Sequence, residues 1–217
     1  GGMQYILNLL VDKYKSLGGY LRMGAEVEFI NSERGEFKYL TLVGGEQLYA
    51  DAVISSMGRL ETLSCCDPVM VEKVSDDLAG QVSFMESLFA LDQEPKELGY
   101  RRSIVFFCTD NRFRYEVPTD LIDISSGVLC CPNNFKYPEP LPEGMIRLTN
   151  LASFDLWNAL PRREYIDAKK EWRTKALESL FTFFPDFRDS VVFLDSFMPK
   201  TIHKYTGHLN GAVYGSP

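Results

Sequence analysis

Apolar and polar residues recur with two different periods along the 217-residue chain. In residues 3–17 the apolar side chains return every three or four positions, which predicts an amphipathic helix ended by Gly18 and Gly19. Residues 20–30, YLRMGAEVEFI, instead alternate with a period of two. This alternation predicts a strand whose odd-numbered residues, from Leu21 to Phe29, share one buried face.

A β-meander is expected next. EFKYLTLV and EQLYA have the composition of strands, and Gly44-Gly45 between them is typical of a tight hairpin turn. DAVISSMG then forms a short apolar run without alternation, which favours a strand buried on both faces. Residues 1–58 are therefore predicted to form a helix, a meander and a buried strand.

The remaining chain has a different pattern. RLETLSCCDPVMVEKVSDDLAG predicts one or two short helices, and the β segments after it include RRSIVFFC, ISSGVLCCPNNF and MIRLTNLASF. QVSFMESLFALD suits either a strand or a helix. A long helix over residues 162–184, ended by Pro185, precedes a last strand, SVVFLDSFMP. We expect an α+β fold with a mixed, largely antiparallel sheet flanked by helices.

Composition narrows the function classes. Aromatic residues make up 13% of the chain, which favours large apolar cores or a lipophilic pocket. The net charge is −7 and the basic residues are scattered, so a nucleic-acid partner is not expected. Five Cys without a CxxC spacing favour a reducing cytoplasm. No apolar run reaches the roughly 20 residues that a membrane span needs.

Few catalytic patterns occur in the sequence. His203 and His208 have no further ligands at metal-binding spacing, so no metal is expected. There is no GxSxG nucleophile motif and no GxGxxG phosphate-binding loop. A hydrolase of α/β type would need a nucleophile close to a base, and only residues distant in sequence could supply that pair. No catalytic residue is therefore assigned.

Three stretches resemble a known family. GGMQYILNLLVDKYKSLGGYLRMGAEVEFI, then GGEQLYADAVISSMG, and the tail MPKTIHKYTGHLNGAVYGSP follow one another in the order and spacing of the phytoene desaturase family of FAD-dependent oxidoreductases. That family includes carotenoid desaturases, carotenoid isomerases and retinol saturases, and belongs with the amine oxidases. SFMESLFALDQEPKELG in the middle is a weaker match, which favours a strand there. Glu86 departs from the apolar character of that strand and leaves room for a different substrate.

The resemblance implies that different parts of the chain belong to different domains. Residues 1–58 would be part of an FAD-binding domain, residues 59–200 a substrate-binding domain, and residues 201–217 a segment returning to the flavin. The chain would then be the central part of a longer enzyme, whose GxGxxG unit is the remaining partner. One face of the substrate-domain sheet would line a cavity for a polyene-like substrate, and helices such as 162–184 would cover the other.

The resemblance also suggests site residues. It matches Val27 to a strand position that offers its backbone to the adenine, and Gly1, Gly2, Gly211 and Ala212 to turns near the flavin. Met3, Phe84 and Phe106 are the expected substrate contacts. Hydride transfer between flavin and a C–C bond would give desaturation, saturation or isomerisation, and peripheral membrane contact stays open. The alternative is a non-catalytic binding or assembly module that keeps the substrate-domain fold.

Overall fold

The chain divides into two units, Gly1–Ser75 and Asp76–Pro217, which are treated separately below. The structure is a computed structural model that describes residues 2–67 and 80–213. The first unit contains, in chain order, α1 (Gly2–Ser16), β1 (Val27–Glu33), β2 (Glu36–Leu42), β3 (Gln47–Tyr49), α2 (Arg59–Ser64) and β4 (Cys66–Asp67).

The first unit confirms the predicted helix and meander. Its four strands are ordered β3-β2-β1-β4, with β1, β2 and β3 antiparallel and β4 parallel to β1. Gly44 and Gly45 both have positive φ, 99° and 88°, which a residue with a Cβ adopts only with strain. The tight turn between β2 and β3 therefore depends on these two glycines. The predicted boundary at residue 58 lies inside this unit, because β4 pairs with β1.

Two predictions in this unit are wrong. The strand expected over residues 20–30 begins only at Val27, and a register shift between Val27 and Phe29 reverses the alternation, so that Ile30 is buried and Phe29 is 43% exposed. Residues 51–58, expected as a buried strand, form no strand, and Ile54 is 98% exposed. An apolar run becomes a strand only where a neighbour accepts its backbone hydrogen bonds.

The second unit confirms the predicted α+β class. Its elements are β5 (Ser83–Leu91), β6 (Ile104–Cys108), β7 (Ser126–Cys130), β8 (Gly144–Ala152), α3 (Phe154–Ala159), α4 (Arg162–Leu180), β9 (Val191–Phe197) and α5 (Pro199–Thr206). The five strands form one antiparallel sheet in the order β6-β7-β8-β5-β9. Residues 83–91 are therefore a strand, which settles the ambiguity of that segment.

One face of this sheet packs against helices. Alternate residues of β5 and β8 point into a buried cluster that Ala176, Leu177 and Leu180 of α4 complete. Trp157 of α3 is fully buried there, and its indole N–H donates to the carbonyl oxygen of Leu121 at 2.8 Å. The prediction that a helix over residues 162–184 covers one face of the sheet is confirmed, although the helix runs only from Arg162 to Leu180.

Helix α4 ends at Leu180 rather than next to Pro185. Residues 181–184 instead form tight turns, in which the Thr182 N–H donates to the Ser179 carbonyl oxygen at 3.2 Å. This turn lets Phe184 stack on Tyr100, with 5.8 Å between the ring centroids. Packing of aromatic rings in the core therefore outweighs the helical spacing that the sequence continues to show.

Candidate functional site

The sheet face opposite α4 carries a second, partly exposed set of side chains, called here the open face. The alternation of a β-strand fixes its members. They are Ile104, Phe106 and Cys108 of β6; Ser126, Val128 and Cys130 of β7; Met145, Arg147, Thr149 and Leu151 of β8; Phe84, Glu86, Leu88 and Ala90 of β5; Phe193, Asp195 and Phe197 of β9. Most are apolar, and the two outer strands expose them most. At the edge strand β9, Asp195 also reaches Lys169 of α4, at 3.2 Å.

The strand register aligns the open face in rows. One row crosses the sheet through Phe106, Val128, Thr149, Glu86 and Phe197. The phenyl group of Phe106 is 73% exposed, although it lies next to the buried Phe107 in sequence. Large apolar groups at this level of exposure are typical of a surface that receives a ligand or another apolar surface.

A polar cluster lies at the centre of this apolar face. Arg147 donates through Nε and Nη2 to Glu86 Oε1, and Thr149 donates its hydroxyl to Glu86 Oε2 at 3.3 Å. The Glu86 side chain is only 9% exposed, whereas that of Arg147 is 42% exposed. Because Arg147 and Glu86 carry opposite charges, the cluster is neutral overall, which permits a carboxylate to lie this deep in the sheet.

Cys130 lies beside this cluster on β7. Burial raises the pKa of its thiol, with a smaller lowering by Arg147 and a raising by Glu86. Its neighbour Cys131, on the core side, is 1% exposed, and burial raises its pKa to about 12. All five cysteines are free thiols. Neutral thiols such as those of Cys130 and Cys131 are poor nucleophiles, so these two cysteines fit a role as small packing residues.

The predicted substrate residues fall in two places. Phe84 and Phe106 both lie on the open face, at opposite parts of the same sheet. Met3 is on α1 of the first unit, with 78% of its surface exposed. Three other large aromatic residues of this unit, Phe89, Phe107 and Trp157, are buried in the helix-covered core.

Of the predicted cofactor residues in the first unit, Val27 begins β1 and is half-buried. Strand β4 pairs with β1 only at Ile30 and Asn31, so within the described residues Val27 has no strand neighbour on that edge. Its backbone edge is thus of the kind that can hydrogen-bond an adenine ring. Gly2 is the first residue of α1, and Gly1 lies outside the described residues.

Gly211 and Ala212, predicted near the flavin, are both buried in the second unit. Gly211 has a positive φ of 55°, and its carbonyl oxygen accepts the hydroxyl of Ser83 at 2.6 Å. A Cβ at Gly211 would meet the Pro199 carbonyl oxygen at 2.4 Å. Contacts within the chain therefore already require glycine at this position, and a flavin contact there stays a prediction.

The histidines do not form a metal site. His203 Nδ1 bonds the carbonyl oxygen of His208 at 2.8 Å, and its ring packs against Phe154 with 5.4 Å between centroids. Across residues 2–67 and 80–213, no group of three or more His, Cys, Asp or Glu side chains is arranged to hold a metal ion. In the same described part, no helix combines the length and apolar character that crossing a membrane requires.

A cleft of about 430 Å³, lined by both polar and apolar side chains, lies beside Trp172 and Lys175 of α4. Its central carboxylate, Asp123, already accepts hydrogen bonds from the Ser125 amide and from the hydroxyls of Ser125 and Ser126, at 2.6 to 2.8 Å. Asp123 therefore stabilises the loop that forms this side of the cleft. The lining of the cleft is mixed: the apolar side chains of Val117, Ile122 and Ile124 alternate with charged ones such as Asp110, Arg114 and Glu116.

Sequence reasoning singled out Glu86 as unusual but did not find its partners. Arg147 and Thr149 are 61 and 63 residues further along the chain. Only the register of β5 with β8, in which Glu86 is opposite Thr149, brings the three together. A charged residue at a central strand position was the available signal, because such a residue is seldom buried without a partner.

Comparisons with known proteins give a fold likeness. No protein-family model matches the chain, and no curated protein matches it either. Among solved structures, an oxidoreductase from Methanosarcina mazei is similar, with a TM-score of 0.55 at 14% identity. The alignment covers 97% of this chain and 43% of that one, so the chain spans less than half the length of this neighbour. At this identity the likeness concerns the fold.

Proposed function

We propose that this chain supplies the substrate-binding region, and part of the flavin-binding region, of an FAD-dependent oxidoreductase of the phytoene desaturase type. Its substrate would be a lipophilic, polyene-like molecule. The reaction would be hydride transfer at a C–C bond, leading to desaturation, saturation or isomerisation. The rest of the enzyme, including a GxGxxG unit, would be its structural partner.

The observation that carries this proposal is the two-sided character of the second sheet. Helices cover one face, while on the open face Phe106 and Phe193 of the two outer strands remain 73% and 63% exposed, and Ala90 and Leu151 nearer the middle are buried. A cavity for a lipophilic substrate needs an apolar wall of this kind, and the strands make the wall rigid. The fold likeness to an oxidoreductase, over nearly the whole chain, supports the same reading.

The residues present fit FAD only in part. Val27 offers a strand edge suited to adenine, but the sequence has no glycine-rich loop to hold the phosphates. Hydride exchange with a substrate carbon is the chemistry that a bound flavin supplies in such enzymes. The role left to the open face is to bind the substrate, orient one C–C bond and exclude water.

The test uses the full-length protein that contains this chain. It should purify with a yellow chromophore, and an anaerobic titration with a conjugated polyene should bleach the oxidised flavin absorbance if the reaction is a desaturation. With prereduced protein, saturation or isomerisation should change the polyene spectrum. A protein that holds no flavin even after reconstitution would overturn the proposal and favour the non-catalytic binding module.

A further inference from the structure

The polar cluster interrupts an otherwise largely apolar face of the sheet. Its centre is Glu86, with Arg147 and Thr149 as hydrogen-bond donors. Leu88, on the same face, is opposite Arg147 across the strands. Ion pairs in apolar surroundings are often replaceable by hydrophobic residues at no cost in stability. On a face proposed above to bind the substrate, such a pair therefore points to a role in recognition.

The hydrogen-bonding capacity of the cluster is unevenly used. Both carboxylate oxygens of Glu86 accept a bond, from Arg147 and from Thr149. Arg147 donates through Nε and Nη2 to Glu86, and within the described residues its Nη1 group has no hydrogen-bond acceptor. Guanidinium has five N–H donors and no acceptor. The half-exposed end of Arg147 can therefore still donate to a ligand oxygen, whereas the carboxylate is occupied.

The charge balance defines what kind of oxygen fits. Glu86 already neutralises Arg147, so an anionic ligand would compete with Glu86 for the guanidinium. That competition would leave a carboxylate with a side chain only 9% exposed without its counter-charge, which is costly. A neutral acceptor adds a hydrogen bond without displacing Glu86.

Resting on the proposed function, we propose that Arg147, held by Glu86, hydrogen-bonds a neutral polar group of the substrate, a hydroxyl or a carbonyl oxygen. The substrate would thus be an oxygenated lipophilic molecule rather than a pure hydrocarbon. The apolar remainder of the open face would contact its chain, and the donor would fix its position along the sheet. Hydrogen bonds that involve a charged group in a water-poor site are strong enough to select between ligands.

The experiment compares three ligands on the full-length protein by fluorescence titration: all-trans-retinol, its hydrocarbon analogue without the hydroxyl, and all-trans-retinoic acid. We expect retinol to bind about 10- to 100-fold more tightly than the hydrocarbon, the range for a hydrogen bond to a charged group, and more tightly than the acid. Equal binding of retinol and hydrocarbon, or tighter binding of the acid, would overturn this inference while leaving the proposed function standing.

A double variant tests the residues themselves. Glu86→Leu with Arg147→Met replaces the pair by apolar groups of similar size, which buried pairs commonly tolerate. It should lose the preference for retinol and bind the hydrocarbon within about threefold of the original protein, an allowance for small packing changes. The matched control, Arg22→Met with Glu46→Leu, removes an exposed pair at 2.6 to 2.7 Å in the first unit and should keep the preference.

The outcomes separate the two proposals. A double variant that keeps the full preference for retinol would overturn the inference. If none of the three ligands binds the original protein, the proposal of a lipophilic substrate is wrong. The proposed function then fails together with the inference. If the double variant does not fold by circular dichroism, the ligand series on the original protein still decides the question.

Discussion

The hydroxyl of Ser83 donates to the carbonyl oxygen of Gly211, 128 residues further along the chain, at 2.6 Å. This bond joins the start of β5 to the short 3₁₀ turn Leu209–Gly211 that follows α5. Ser83 is fully buried, so its hydroxyl needs such a partner. The contact anchors the end of the described chain on β5, which pairs with both β8 and β9.

Replacement of Gly211 by Ala should destabilise the protein strongly. The φ of 55° costs an L-residue about 1–2 kcal/mol. In addition, the new Cβ would lie 2.4 Å from the Pro199 carbonyl oxygen, and such overpacking costs typically about 1–3 kcal/mol. We expect a total loss of roughly 3 kcal/mol in the free energy of unfolding, measured by urea denaturation.

Gly207 provides the control for this change. It also has a positive φ, 74°, but a Cβ there would meet no atom within 4 Å. Gly207→Ala should therefore cost only the backbone strain, about 1–2 kcal/mol. Equal losses for the two variants would show that close packing at Gly211 does not contribute.

Phe106 and Phe107 are sequence neighbours with opposite environments, which gives a direct test of the open face. Phe107 is 7% exposed and packs against the rings of Phe183 and Phe184. Phe107→Ala should cost about 3–5 kcal/mol of stability, as large core truncations do. Phe106→Ala, at 73% exposure, should change stability by less than about 1 kcal/mol.

Ligand binding should show the reverse order of effects. Phe106→Ala should weaken retinol binding severalfold if the open face contacts the substrate, while the fold remains intact by circular dichroism. Unchanged affinity would place the substrate elsewhere. A large loss of stability in Phe106→Ala would instead mean that the open face is covered, against the exposure given by the structure.

Cys131 should make the protein less stable in alkali. Burial raises the pKa of its thiol from an ordinary 9.0 to about 12. Between these two values the unfolded chain releases the thiol proton while the folded chain keeps it. The stability contributed by the neutral thiol is therefore complete below pH 9 and falls as the pH rises towards 12, by at most about 1.4 kcal/mol per pH unit.

Cys131→Ala should remove this part of the pH dependence. Its free energy of unfolding, measured in urea from pH 8 to 11, should be lower at pH 8 because a buried side chain is truncated, and should fall less steeply above pH 9. Tyr100, whose pKa burial also raises, retains a slope of its own at higher pH. An unchanged slope between pH 9 and 10 in the variant would contradict the assignment to Cys131.

Local patterns in the sequence were sufficient for much of the fold. The turn at Gly44-Gly45 and four strands of the five-stranded sheet follow from local residue type, whereas β5 suited either a strand or a helix by pattern alone. Residues 51–58 failed the same reasoning, because their apolar character gives no information about whether a neighbouring strand is present. The pairing of Glu86 with Arg147 likewise depends on register between distant strands.

FAD binding gives the last prediction. The sequence has no GxGxxG loop, and among the residues named for the cofactor only Val27 presents a free strand edge in the described structure. Because backbone donors around the phosphates supply much of the affinity for a dinucleotide, the 217-residue chain by itself should not bind FAD stoichiometrically. An equilibrium titration followed by flavin fluorescence, on chain shown to be folded by circular dichroism, measures this. The full-length protein is the positive control and should bind FAD. Tight, stoichiometric binding by the chain alone would mean that its own residues hold the phosphates, and that the resemblance to the desaturase family assigns the cofactor contacts to the wrong segments.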